Sequence, residues 1–150
     1  MSNGDSINPL EALTMSASEN KRILQGVFAE LAKGNGKPFA DCMAEDFSWT
    51  ITGHSSWART WRGKRAVREE LLKPLFARFA HQYTNNAQRF IAEDDYVVVQ
   101  CRGSVMTKED KPYHNHYCYV FRMAGGKMKE LTEYMDTDHA VRVLGDPLLA

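Results

Sequence analysis

The chain has 150 residues and a mass of 17.1 kDa, which suits a single domain that buries a hydrophobic core of its own. Its 19 basic and 19 acidic side chains cancel, and this balance argues against nucleic acids and anionic membrane surfaces as partners. Three cysteines without metal-site spacing, and no apolar stretch of membrane-span or signal-peptide length, indicate a cytoplasmic protein with reduced thiols.

The N-terminal third predicts a flexible arm followed by helices. Residues 1–15 are rich in Ser, Asn and Gly with little periodicity, so the folded domain is expected to span residues 16–150. Ser16 and Glu19 have the spacing of a capping box, and the apolar stripe after them continues to Leu31. A glycine-rich turn should end this helix, and the next proline opens a short second helix.

The middle of the chain predicts two strands and a third helix. The strands are expected at about 47–52 and 57–61, separated by a Gly-His-Ser-Ser loop. Gly63 leads into a helix whose apolar stripe continues to Phe79, and Pro74 inside that stripe should kink or split it.

The last part of the chain has the period-two pattern of strands. Short connections between consecutive strands require antiparallel pairing, and Thr137 or Asp138 should then cap a final short helix. Helices first and strands last predict an α+β fold, a cone-shaped, curved sheet of antiparallel type wrapped around the N-terminal helices. Such a sheet leaves a cup for a ligand at its open end. The strands are predicted at about residues 82–92, 95–107, 112–123 and 127–136.

Four segments in this order resemble the nuclear transport factor two-like superfamily, within it the polyketide-cyclase-like (SnoaL-type) and ketosteroid-isomerase-like branch. They read SWTITG at 48–53, WRGKRAV at 61–67, NHYCYVFR at 115–122 and EYMDT at 133–137. The resemblance covers about residues 18–145. It implies a cone-shaped α+β fold, a deep pocket between sheet and helices, and a homodimer formed through the sheet. Because this fold hosts isomerases, cyclases, hydrolases and pure binding modules, it does not imply one reaction.

Two departures from the superfamily argue against its best-defined reactions. Ketosteroid isomerases place an aspartate base where this chain has Ile51, and they use a tyrosine from the first helix, which has none here. Epoxide hydrolases of the superfamily use an Arg-x-Asp pair on a strand, and the nearest segment here reads Arg102-Gly103-Ser104. Both reactions are therefore disfavoured.

Glu133 is the candidate catalytic base. It resembles the late-strand carboxylate with which the hydrolases and cyclases of the superfamily perform acid–base chemistry. Walls formed by Trp49, Tyr117 and Tyr119 would desolvate this carboxylate and raise its pKa into the range of a general base. The alternative is a structural role, such as an ion pair with Arg122 across the hairpin.

Two further side chains are candidates for polarising a substrate carbonyl or hydroxyl. His54 follows the first long strand in a loop that could reach the mouth of the cup, and its alternative is one structural hydrogen bond. Asn115 shares a strand face with the tyrosines by alternation. An amide among aromatic rings needs a partner, which is either a ligand carbonyl or a neighbouring side chain.

Aromatic side chains predict the nature of the ligand. At least one of the three tryptophans should face the cup, which favours a small apolar or aromatic ligand such as a polyketide or steroid-like ring system. The alternatives are a lid, plain core, or a nucleic-acid platform, which the neutral charge balance disfavours. The predicted ligand-binding residues are Trp49, Trp57, Trp61, Tyr117, Tyr119 and Asp136.

His114 and His116 alternate onto one strand face, as in several metal sites, but on the side opposite to the aromatic residues. No acid follows at the required distance, so we interpret them as part of a polar outer or dimer-facing surface. The sequence thus predicts no metal and no cofactor.

Three functions are compatible with these residues. The first is a cofactorless enzyme, an isomerase, cyclase or hydrolase, in which Glu133 is the base and Asn115 or His54 polarises the substrate. The second is a ligand-binding module without chemistry, which the missing isomerase and hydrolase acids favour. The third is a dimeric interaction protein that uses the outer face of the sheet.

Overall fold

The computed structural model describes residues 15–147, so the predicted arm, apart from its last residue, lies outside the described part of the chain. Helix α3 covers residues 64–76 in three successive segments, Lys64–Ala66, the π-helical Val67–Leu72 and Lys73–Phe76. The other elements are α1 (Ala17–Leu31), α2 (Lys37–Cys42), β1 (Met43–Ile51), β2 (Arg59–Arg62), β3 (Thr84–Glu93), β4 (Tyr96–Met106), β5 (Pro112–Ala124), β6 (Lys127–Met135) and α4 (Thr137–Leu144).

The six strands form one curved sheet in the order β2-β1-β6-β5-β4-β3. The pairs β1–β2, β3–β4, β4–β5 and β5–β6 are antiparallel, as their short connections require, whereas β1 and β6 pair in parallel. The sheet is therefore mixed. After β2 the chain passes to β3 at the opposite edge of the sheet and returns through β4 and β5, so that β6 lies beside β1. The predicted α+β fold is confirmed, with helices packed on one face of a curved sheet.

The helix starts follow the sequence signals. Ser16 Oγ accepts a hydrogen bond from Glu19 N at 3.1 Å, and Ser16 N donates to Glu19 Oε1 at 3.4 Å, which confirms the capping box. Pro38 lies in the first turn of α2. Backbone N–H groups of the first turn have no acceptor within the helix, so the missing N–H of proline costs no hydrogen bond there.

Helix α3 is interrupted where Pro74 predicts an interruption. The π-helical stretch of α3 ends two residues before this proline, which cannot donate the hydrogen bond of a regular α-helix. The helix ends at Phe76. Phe79 therefore lies outside the helix, although its apolar spacing predicts that it is helical. Phe79 instead forms a bridge with Thr107.

The cap of α4 is one residue earlier than the sequence predicts. Asp136, in an extended conformation, accepts a hydrogen bond from His139 N at 3.1 Å through Oδ1. Thr137 and Asp138 are already helical. Asp136 is the N-cap because its short carboxylate side chain reaches the backbone N–H three residues ahead.

The core lies between α1, α3 and the concave face of the sheet. Phe28 of α1 packs edge to face against Phe90 and Phe121, at centroid distances of 5.8 and 6.1 Å. Within residues 15–147, no helix is long and apolar enough to cross a membrane. The three cysteines are unpaired.

The convex face of the sheet is mixed in polarity. His114 and His116 are exposed there, Cys118 and Val120 are half-buried, and the Tyr134 side chain is 50% exposed. The homodimer that the sequence predicts through this face stays a prediction.

Val120→Glu tests the homodimer. The substitution should weaken association while the fold remains intact, because a carboxylate at the centre of the contact between two subunits loses its hydration. Sedimentation velocity over a range of concentrations measures this, with Gln25→Glu on the exposed side of α1 as the charge-matched control. A wild-type chain that sediments as a 17.1 kDa monomer at high concentration contradicts the dimer.

Candidate functional site

Two adjoining spaces lie between the helices and the concave face of the sheet. The outer one is an open cleft of about 660 Å³, bordered by α2, α3 and the sheet. The inner one is a chamber of about 70 Å³, which has room for a few water molecules or a small substituent but not for a ring system. Both spaces are lined by Trp49, Leu72, Phe76, Tyr83 and Tyr119, so the chamber lies at the inner end of the cleft.

Glu133 lines the inner chamber and is 5% exposed. Strand β6 presents it to the concave face, where its register neighbours are Ile51 on β1 and Tyr119 on β5. No ion pair involves Glu133 within the described residues, since Arg122 binds Glu130 instead, with Nε and Oε2 3.0 Å apart. The local ion pair considered as its alternative role is thus not formed.

Burial controls the protonation of Glu133. Desolvation raises the pKa of its carboxyl group from 4.5 to about 8, while the side chains of Tyr119 and Trp49 lower it in part by favouring the charged form. In most molecules the carboxyl group is therefore protonated at pH 7 and can act as a general acid. The ionised minority is a stronger base than an ordinary glutamate.

Tyrosine hydroxyls surround this carboxyl group as neutral donors. Tyr117 Oη donates to Tyr113 Oη at 3.3 Å, and both rings line the chamber with Tyr83 and Tyr119. Burial raises the pKa of all four hydroxyls, so they keep their protons at neutral pH. Together with Glu133, they give an apolar chamber a set of groups that can stabilise an oxyanion.

Asn115 supports the chamber without lining it. Its Nδ2 donates to Tyr113 Oη at 3.0 Å and to the Asp136 carbonyl at 3.1 Å. Its Oδ1 accepts from His116 N at 2.8 Å. In this structure, Asn115 therefore bonds to its neighbours in the protein, the alternative to binding a ligand carbonyl. It fixes the Tyr113 side chain and the end of β6.

Other residues predicted from the sequence are divided between the site and its surroundings. Trp49, Tyr117 and Tyr119 line the chamber, and so does Trp57, whose Nε1 donates to the Gly145 carbonyl at 2.7 Å. Three residues line neither space. They are His54, exposed in the loop after β1, Trp61, buried beneath Arg59, and Asp136, the cap of α4.

Several lining residues were not predicted from the sequence. Tyr83 and Asn85 enter the site at the start of β3, and Asn85 Nδ2 donates to Tyr83 Oη at 3.2 Å. Both residues fall in the strand predicted at about 82–92, where alternation places them on one face, but no motif marked that face as the one that lines the cup. Within residues 15–147, no group of three or more His, Cys, Asp or Glu side chains is arranged to hold a metal ion.

Comparison with a family model adds an independent result to this geometry. A model described as the SnoaL-like domain matches residues 24–131, more than two thirds of the chain. No curated protein matches the chain.

Solved structures share the architecture of the described residues. An NTF2-like protein from Burkholderia xenovorans LB400 is 25% identical, with a TM-score of 0.65 over 86% of this chain and 98% of that one. A protein of Jannaschia sp. CCS1, provisionally named a SnoaL-like polyketide cyclase, is 15% identical, with a TM-score of 0.70 over 95% and 98% of the two chains. TerC, co-crystallised with polyporic acid, is 17% identical, with a TM-score of 0.70 over 84% and 98%. The last two likenesses show the fold alone.

Gly103→Ala tests the packing that holds Tyr83 at the site. A Cβ atom at Gly103 of β4 would overlap the Tyr83 ring, so we expect a loss of roughly 1–3 kcal/mol in the free energy of unfolding. Urea unfolding measures this loss. Gly26→Ala in α1, where nothing lies within 4 Å, is the control and should be neutral or slightly stabilising. Equal stabilities of the two variants contradict the packing role.

Glu133→Gln tests the burial of the carboxyl group through the pH dependence of stability. In the wild type, the unfolded chain ionises near pH 4.5 whereas the folded chain does so near 8, so stability falls as the pH rises between these values. The variant lacks this slope and should gain on the order of 4 kcal/mol relative to wild type across the window. Chemical unfolding at successive pH values measures it, with the exposed Glu130→Gln as control. Parallel curves for wild type and Glu133→Gln contradict it.

Proposed function

This chain belongs to the SnoaL-like domain family, whose members share the nuclear-transport-factor-two-like fold and include polyketide cyclases and isomerases. From this premise we propose that it is a small-molecule enzyme that performs acid–base chemistry, without a cofactor, on an apolar ring compound. Isomerisation, cyclisation and hydrolysis are the reactions that this chemistry serves in the fold.

The observation that carries the proposal is the burial of Glu133 at the inner end of an open cleft. A carboxyl group with a pKa of about 8 and no cation beside it exchanges protons near neutral pH. Buried acids that serve only the fold normally have a cation or a hydrogen-bonded network around them. Within the described residues, Glu133 has no ion pair, and the neutral side chains of Tyr119 and Trp49 offset its desolvation only in part.

The sizes of the two spaces suggest how a substrate binds. A ring system fits the cleft of about 660 Å³ but not the chamber of about 70 Å³, so only its reacting edge reaches Glu133. Ionised Glu133 removes a proton from the carbon beside a carbonyl group, and the negative charge moves to the carbonyl oxygen. The Tyr119 hydroxyl and the Trp49 indole N–H lie beside the Glu133 carboxyl group and are the donors that would bind this oxyanion. Glu133 then returns the proton at a second atom.

One observation favours a second candidate, a ligand-binding protein without chemistry. Glu133 is the only carboxyl group lining the chamber within residues 15–147, and Ile51 stands where ketosteroid isomerases have their base. A protonated Glu133 would then serve as a hydrogen-bond donor to the ligand. Binding without any proton exchange would distinguish this candidate from the enzyme.

We further propose that the protein is a homodimer through the convex face of the sheet. Support comes from the half-buried Cys118 and Val120 and the half-exposed Tyr134 on that face. The cleft opens on the opposite side of the sheet, so association would leave it accessible.

Hydrogen–deuterium exchange at carbon tests the proposed chemistry. Cyclic ketones, beginning with 2-tetralone, are incubated in D₂O with the protein, and deuterium next to the carbonyl is followed by mass spectrometry. The wild type should accelerate exchange over buffer, with a rate that rises with pH and levels off near 8. Glu133→Gln should slow it by on the order of 100-fold, because the general base is lost.

The control for this experiment is Glu130→Gln. Glu130 lies on the same strand but is exposed and bound to Arg122, so its loss should leave the exchange rate unchanged. Equal rates for wild type and Glu133→Gln, with 2-tetralone bound to both, contradict the catalytic role. Bound ketone with no exchange in the wild type supports the binding protein instead.

A further inference from the structure

The outer cleft carries more positive than negative charge, although the whole chain has a formal net charge of zero. Its two acids are already neutralised by two lysines, since Lys37 Nζ lies 2.5 Å from Asp41 Oδ2 and Lys73 Nζ lies 3.5 Å from Glu69 Oε2. Of the four cations that line the cleft, two form no ion pair with any of residues 15–147. They are Lys64 and Arg68.

The two unpaired cations lie on one side of the cleft. Lys64 and Arg68 are four residues apart at the start of α3, a spacing that brings side chains to the same face of a helix. The hydrogen bond from Lys37 is the main cause that lowers the pKa of the Asp41 carboxyl group across the cleft, and the charge of Lys64 adds to it. The two side chains thus concentrate positive charge at the mouth of the cleft, above an apolar interior.

Two residues that line the cleft carry buried polar atoms that lack hydrogen-bond partners. The Trp49 side chain is 6% exposed, and its Nε1 has no hydrogen-bond partner within 3.5 Å although it lies near enough to Glu133 to favour the ionised carboxylate. Asn85 is 1% exposed and its Oδ1 is an unpartnered acceptor. Both residues line the cleft beside Phe39, Leu72 and Tyr119. Buried polar groups without a partner are unfavourable, and a ligand with an oxygen substituent would satisfy them.

We propose that the cleft selects anionic ring compounds that carry a hydroxyl or carbonyl group. The ring packs against the aromatic interior, the oxygen substituent binds Trp49 or Asn85, and the anionic group lies between Lys64 and Arg68. This inference rests on the proposed function in that it names the substrate class of the same site. Its test measures binding alone and needs no turnover.

Two fluorescent probes that differ by one charge test the selection. They are 8-anilinonaphthalene-1-sulfonate, which is anionic, and N-phenyl-1-naphthylamine, the same ring system without the sulfonate. The double variant Lys64→Gln/Arg68→Gln should bind the sulfonate roughly five- to tenfold more weakly and the neutral amine within about twofold of wild type. Raising NaCl from about 50 to 500 mM should weaken sulfonate binding to the wild type and not to the variant.

Two control variants define where the probes bind. Arg22→Gln/Arg65→Gln removes two exposed cations that do not line the cleft, and it should leave both affinities unchanged. Ala40→Trp fills the cleft with an indole ring and should abolish binding of both probes. Circular dichroism and unfolding curves establish that each variant is folded.

The oxygen substituent is tested by displacement of the bound sulfonate. In the wild type, 6-hydroxy-2-naphthoate, whose hydroxyl and carboxylate lie at opposite ends of the ring system, should compete several-fold better than 2-naphthoate, and Asn85→Leu should reduce this preference. An equal effect of the Lys64→Gln/Arg68→Gln variant on both probes, or probe binding that survives Ala40→Trp, overturns the proposal. Cleft binding without charge preference overturns the anionic substrate class and leaves the chemistry at Glu133 standing, since that has its own exchange assay.

Discussion

Glu133 is buried among aromatic rings with no cation beside it, and the character of the whole site follows from this burial. Desolvation holds the proton on the carboxyl group near neutral pH, at a cost to the stability of the folded chain at higher pH. The same apolar wall that imposes this cost makes the chamber a place where charge on a substrate interacts strongly with nearby donors.

Strand register is what puts the carboxyl group in that wall. The parallel pairing of β1 with β6 sets Ile51 beside Glu133, and the antiparallel pairing of β5 with β6 sets Tyr119 on its other side. A shift of one residue in β6 would turn Glu133 to the convex face and bring Tyr134 inward. Asn115 fixes the end of β6 through the Asp136 backbone and so helps to hold this register.

The helices complete the site by dividing it into two environments. Helix α3 contributes Leu72 and Phe76 to the boundary between chamber and cleft, near the point where Pro74 interrupts the helix. Its first turns carry Lys64 and Arg68 to the mouth. A molecule that enters the cleft therefore passes from a cationic rim to an apolar interior and then to one protonated carboxyl group.

The sequence by itself determined the fold class and most element positions, because these depend on local periodicity, caps and motifs within single segments. Ser16, Pro38 and the alternation along β5 act through their nearest neighbours in the chain, so they can be read without the structure. Only the tertiary structure decided the parallel β1–β6 pairing, the capping role of Asp136 and the exposure of His54. It alone brought the distant Tyr83, Asn85 and Lys64 to one cleft, because their proximity results from long-range packing that no local pattern encodes.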